Sequence, residues 1–225
     1  GRSRARMALA NLTSAAQTEP PDPEPIYWPK DLGPWTAYGA LVLDRADLRL
    51  PSEGLESVLA RALLSVSGQD TPPRYLALRR LTMALRGHAS FTATLSGAQV
   101  RASHDQVWIV REAGRKGLAP LDLMPTASSP PVWDGRFQME GGAEGGQVIA
   151  LRGHAKRLGP LDRMRLAGLP APLRPTLPLV ARPDGSVYLP TFTGEPIMLN
   201  RVADSLILQR LEAACGRIIT ERALG

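Results

Sequence analysis

Cysteine is almost absent from this sequence. Cys215 stands alone among 225 residues, so no intrachain disulfide and no cysteine-based metal site can form. That economy fits a reducing compartment, and the expected location is cytoplasmic. Cys215 sits in a helix-compatible stretch and reads as a small buried apolar side chain. His88, His104 and His154 are far apart and share no metal-ligand spacing, so they are expected at turns or on the surface. Aromatic residues make up only 5%, which leaves few platforms for stacking bases. No apolar run reaches membrane-spanning length; Ala40 to Leu43 is among the longest, and no membrane partner is expected. Arg2, Arg4 and Arg6 precede no hydrophobic segment, so no secretory signal is expected in this stretch. The chain opens on Gly rather than Met and is read as a cut fragment.

Lysine is scarce too: Lys30, Lys116 and Lys156 are the only ones, so arginine carries most of the formal charge of +6. Guanidinium forks match phosphate oxygens well, which points toward a nucleic acid. An arginine-rich, lysine-poor composition is also what a GC-rich genome encodes, and the charge by itself does not choose between the two readings. An apolar content of 44% is ordinary for a folded protein, and 21 Gly with 21 Pro imply short elements and extended connections.

Pro20, Pro21, Pro23, Pro25, Pro29 and Pro34 exclude helix and central strand over residues 19 to 34. We take residues 1–44 as a helical connector carrying this Pro-rich segment, with a strand at Ala40 to Leu43. Leu55, Val58, Leu59, Ala62, Leu63 and Val66 recur at helical spacing after the N-cap candidate Ser52, and Gly68 stops the run. A second helix follows Pro72-Pro73, with Tyr75, Leu78, Leu81, Thr82 and Leu85 on one face and Gly87 at its end. The period then drops to two: Phe91, Ala93 and Leu95 alternate with threonines, and strands follow around Val100 and Val107 to Val110. Residues 45–112 thus read as two helices with a three-stranded antiparallel meander.

Residues 113–131, rich in Gly, Ala, Ser and Pro, are taken as a linker. A mostly β unit over 132–225 is expected to open with a strand from Val132 to Met139. The Gly run 141–146 would turn it into a hairpin with Gln147 to Leu151. Residues 156 to 182 show no clear period, Asp184-Gly185 is a turn before a strand at Val187 to Leu189, and Leu206 to Leu224 is a candidate terminal helix. The fold class expected is α+β: a helical N-terminal region and helix–helix–sheet domain, then a second, mostly β domain.

No Gly-x-Ser-x-Gly elbow, His-Glu-x-x-His helix, Walker loop or dinucleotide fingerprint occurs, and the chain shows no active site of its own. What remains is distributed basic surface. Arg74, Arg79, Arg80 and Arg86 lie largely off the apolar face of the second helix, and Arg101, Arg111, Arg115 and Lys116 lie in or after the meander. Arg152, Lys156, Arg157, Arg163 and Arg165 form a further cluster. The bland alternative is a solvated helix face with local ion pairs. Trp133 and Phe137 read as core anchors, Asp134-Gly135 as a turn or bulge, and Arg136 as either structural or RNA-facing.

The order Pro72-Pro73-Arg74, Gly97 after Leu95-Ser96, Arg111-Glu112, Trp133-Asp134-Gly135-Arg136-Phe137, then Leu169-Pro170, Arg174 and Leu177-Pro178 resembles the C-terminal half of bacterial tRNA(Ile)-lysidine synthetase. The resemblance covers about residues 45 to 195. It implies a tRNA-recognition role beside an N-terminal PP-loop domain, where ATP activates the wobble cytidine of isoleucine tRNA and lysine displaces AMP. That domain's Ser-Gly-Gly-x-Asp-Ser motif has no counterpart here; Val66-Ser67-Gly68-Gln69-Asp70 lacks a glycine. Catalytic, cofactor and metal residues are therefore expected to be none in this chain, with ATP and Mg belonging to the full-length enzyme. The implied partner is tRNA, in particular isoleucine tRNA with a CAU anticodon, and a homodimer stays open. The candidate tRNA contacts are Arg74, Arg79, Arg80, Arg86, Arg101, Arg136, Arg152, Lys156, Arg157 and Arg174. The competing reading is a noncatalytic structural or protein-interaction module whose charge is compositional.

Overall fold

A computed structural model describes residues 32, 34–48, 52–124, 129–141, 145–192 and 201–214. The early helix-compatible stretch, most of the Pro-rich segment and Cys215 lie outside the described residues. Among the described residues, four α-helices and three four-stranded sheets make an α+β fold, as the change of period predicts.

The first core follows from two amphipathic helices. In α1 (Ser52–Ser67), Leu55, Val58, Leu59, Ala62, Leu63 and Val66 are all buried, because a 3.6-residue period stacks them on one face. In α2 (Tyr75–Arg86), Leu78, Leu81, Thr82 and Leu85 are buried, while Tyr75 stays exposed rather than joining that face. Gly87 ends α2 with extended backbone, φ −70°, so its role there is not the left-handed cap.

The meander is β2 (Phe91–Leu95), β3 (Ala98–Ala102) and β4 (Gln106–Arg111), and β1 (Leu41–Asp44) completes the sheet in the order β1-β4-β3-β2, antiparallel throughout. Ser96 and Gly97 both have positive φ (48° and 74°), the conformation of a two-residue type I′ hairpin whose twist matches its strands. Leu41, Leu43, Val100, Val107 and Ile109 turn inward against both helices.

Arg45, which the sequence pattern gives no reason to single out, is buried at the β1 end. It donates from Nε to Leu85 O at 3.3 Å, from Nη2 to Ala89 O at 3.1 Å, and to the carbonyls of Gly87 and Ser103. One guanidinium thereby satisfies the last carbonyls of α2 and ties them to the β3–β4 turn. Arg45→Met is expected to lower stability by about 2–3 kcal/mol, since several part-buried carbonyls lose a charged donor at once. Urea unfolding would read this, and a loss below about 0.5 kcal/mol would dismiss the clamp.

Beyond Glu112 the chain builds two further sheets. β5 (Leu121–Leu123), β8 (Gly146–Ala150), β9 (Pro178–Ala181) and β10 (Val187–Tyr188) pair antiparallel in the order β10-β9-β8-β5. β6 (Val132–Trp133), β7 (Phe137–Gly141), β11 (Thr191–Phe192) and β12 (Arg201–Ser205) form the third, in which β11 and β12 run parallel.

Two expectations fail here. The single strand over Val132 to Met139 is a tight hairpin, broken by a turn at Asp134 to Arg136 with Asp134 and Gly135 at φ 53° and 64°. The expected hairpin across the Gly run does not form, because β7 and β8 belong to different sheets. A strand at 121–123 also stands inside the stretch read as linker. The aperiodic stretch holds α3 (Pro160–Ala167), started by Pro160 at its first turn.

The terminal helix α4 (Ile207–Ala214) returns to the first core. Ile207 is buried there, Arg61 Nε donates to Ala214 O at 2.6 Å, and Arg210 Nη2 donates to Gln69 O at 2.6 Å.

Candidate nucleic-acid interface

Three of the ordered motifs, at Gly97, Arg111 and Trp133 to Phe137, converge on one buried junction. The end of β4 brings Arg111, and the β6–β7 turn brings Asp134 and Arg136. Arg111 donates to Asp134 through two parallel bonds, Nε to Oδ2 at 2.9 Å and Nη2 to Oδ1 at 3.0 Å, and its Nη1 reaches Gly97 O at 2.7 Å. Arg136 Nε donates to the same Oδ2 at 2.7 Å, and its Nη2 reaches Thr176 O at 2.8 Å. Asp134 therefore holds one guanidinium from each side and joins the first sheet to the third.

Arg136 itself has 0% exposure, and its guanidinium lies 5.0 Å from the Phe137 ring centroid and 5.8 Å from that of Trp133. Burial lowers its pKa to about 10, against the opposing pull of Asp134. Its Nη1 has no hydrogen-bond partner among the described residues. The expectation that Arg136 meets RNA fails on this geometry: a cation enclosed by two aromatic rings and a carboxylate cannot reach an external phosphate.

The glycines of this junction are fixed by close packing. A Cβ on Gly68 would stand 1.9 Å from Asp134 O, and one on Gly135 would stand 2.4 Å from Gly68 O. The C-terminus of α1 thus packs backbone to backbone on the turn that carries Asp134. Gly97 is similarly confined by the Arg111 guanidinium and the Gln69 side chain.

The other candidates divide into surface and structure. Arg74, Arg79, Arg80 and Arg86 are all exposed along α2, and Leu76 and Met83 are each 66% exposed between them. α2 contains no acidic residue. Arg101 is exposed on the first sheet, with Nε bound to Gln99 Oε1 at 2.6 Å. Arg152 and Arg157 are exposed, yet each gives a bond to a backbone carbonyl, of Gly114 and Gly185 respectively.

Arg174 is half-buried and donates to Leu169 O from both Nε (2.9 Å) and Nη2 (2.7 Å), stitching down the chain just after α3. It also lines a shallow depression with exposed Lys156 and Arg163, floored by Leu166 and Ala167. The carboxylate nearest in sequence, Asp162, is engaged elsewhere, with Oδ1 held by Arg165 and Oδ2 by the Leu189 N–H. Charge density along the sequence is enough to flag Lys156 and Arg163. No sequence signal separates Arg152, Arg157 and Arg174, tied to carbonyls 5 to 38 residues away, from cations held only by solvent.

Among the described residues no group of three or more His, Cys, Asp or Glu could hold a metal ion, and no helix is long and apolar enough to cross a membrane. The arrangement defines an α+β protein with a basic exterior and a buried arginine–aspartate junction between its sheets. In sequence, it is 37% identical to the tRNA(Ile)-lysidine synthase of Caulobacter vibrioides, over 98% of this chain and 51% of that protein. The chain is thus similar along nearly its whole length to about half of tRNA(Ile)-lysidine synthase, consistent with the C-terminal part of that protein. No family model and no solved structure matches it.

Proposed function

We propose that this chain is the tRNA-holding portion of a tRNA(Ile)-lysidine synthase. The ATP-dependent joining of lysine to the wobble cytidine, with its ATP, magnesium and lysine sites, is assigned to a separate catalytic domain of the PP-loop kind. The observation that carries this reading is the 37% identity spread over 98% of the chain. Two features support it physically. α2 exposes Arg79 and Arg80 and contains no acidic residue, and Lys156, Arg163 and Arg174 surround an open depression. Such surfaces grip a phosphate backbone by releasing its counterions, and the affinity they give falls steeply with salt.

The test is equilibrium binding of the chain to isoleucine tRNA with a CAU anticodon, and to a second tRNA, across a salt series. We expect a preference for the first and a steep negative slope of log affinity against log salt. The double variant Arg79→Ala/Arg80→Ala is expected to reduce that slope by about 2, one unit for each phosphate no longer neutralised. Salt-insensitive self-association without tRNA binding would instead favour a protein-interaction module.

A further inference from the structure

The first sheet has one face covered by helices and an outer face that is covered around Val110 and exposed toward β2 and β3. α1 and α2 pack on the inner side. Strand register then lines up Thr92, Arg101, Trp108 and Val42 in a single row across the outer side. Thr92 and Arg101 are exposed, and Trp108 is half-buried, leaning on Trp35 with ring centroids 6.1 Å apart. Ser90, Phe91, Thr92, Arg101, Ser103 and Trp108 line a shallow depression at this place.

Its chemistry is one-sided. β2, β3 and β4 contain neither Asp nor Glu, and the acid on β1, exposed Asp44, stands opposite Gln106 at the strand end and accepts from the Ala46 N–H. The nearest acid in sequence, Asp105 in the β3–β4 turn, pairs with His104. Arg101 is steadied by its bond to Gln99 Oε1 and stands directly opposite Trp108 in the ladder. An indole beside a guanidinium, rimmed by the hydroxyls of Thr92 and Ser90, offers a stacking surface, a phosphate partner and hydrogen bonds for a sugar or a base edge. A base inside a duplex cannot use the indole, because both of its faces are already stacked.

Resting on the tRNA-binding reading above, we infer that this depression holds one unpaired nucleotide of the bound RNA, with its base against Trp108 and its phosphate at Arg101. The arginines of α2 serve the backbone without regard to pairing, whereas this site selects single-stranded RNA.

Tryptophan fluorescence of the full chain, titrated with an unstructured RNA octamer and separately with isoleucine tRNA, tests the inference. The octamer is expected to quench the wild type. Trp108→Phe keeps a ring for stacking, so it should lose most of the quenching while its affinity stays within about twofold. Arg101→Ala, an exposed change that spares the fold, should weaken octamer binding about 3- to 10-fold and lower the salt slope by about 1. Quenching that persists in Trp108→Phe, or Arg101→Ala binding with the wild-type affinity and slope, overturns the site. Salt-sensitive tRNA binding without any octamer binding overturns it too and leaves the tRNA reading standing. Failure of both ligands overturns the tRNA reading and the site with it.

Discussion

Asp134→Asn should cost this protein about 3 kcal/mol or more of folding stability, read as a lower urea midpoint. The side chain it removes is the single carboxylate between Arg111 and Arg136, whose own exposures are 12% and 1%. Removing one partner of a buried ion pair leaves the opposite charge without compensation, and here two guanidinium groups lose theirs together. Asparagine has nearly the same shape and tolerates the left-handed backbone at this position, φ 53°, so the substitution isolates the charge. Arg136→Met should be milder, because it removes the desolvated cation and leaves Asp134 in its two-bond pairing with Arg111. If Asp134→Asn cost less than about 1 kcal/mol, the junction would be a by-product of packing rather than a fastener.

Gly68→Ala is expected to be at least as severe, costing about 4 kcal/mol or preventing folding, because a backbone cost and a packing cost add. The residue lies at φ +67°, where a Cβ costs about 1–2 kcal/mol. The new methyl would also stand 1.9 Å from a backbone oxygen, and forcing α1 off the Asp134 turn adds overpacking strain of about 1–3 kcal/mol. Gly153 provides the control, since it has φ +82° and, among the described residues, nothing within 4 Å of where a methyl carbon would stand. Gly153→Ala should show the backbone cost alone, about 1–2 kcal/mol. Equal losses in the two variants would mean that the α1 approach to the turn is not tight. Gly135→Ala meets the reciprocal obstacle, Gly68 O at 2.4 Å, and its destabilisation should resemble that of Gly68→Ala.

The α+β class, α1, α2 and the meander were legible in the order of the residues. Each depends on a local period: Leu55 to Val66 can bury one stripe only as a helix, and Phe91 to Leu95 can alternate only as a strand. Gly68 and Gly97 could likewise be read as stops, because glycine marks a change of backbone direction. The sequence could not say that these two glycines meet the Asp134 turn and the Arg111 guanidinium, which depends on which remote segment arrives beside them. The same limit explains the two errors around the third sheet. Asp134-Gly135 is legible as a turn or bulge, but that the chain reverses there into two paired strands depends on the pairing of β6 with β7, and the turn packs on Gly68. The separation of β7 from β8 is set by their partners β12 and β9, which arrive from far along the chain and place Arg201 opposite Gly141 and Pro178 opposite Ala150. Arginine is the sharpest case. One residue type serves as an exposed cation at Arg79 and Arg80, a carbonyl clamp at Arg45 and Arg174, and an enclosed ion at Arg136. Composition determines that the charge is there, and tertiary structure decides which guanidinium groups face water, because burial and pairing belong to the neighbours that folding supplies.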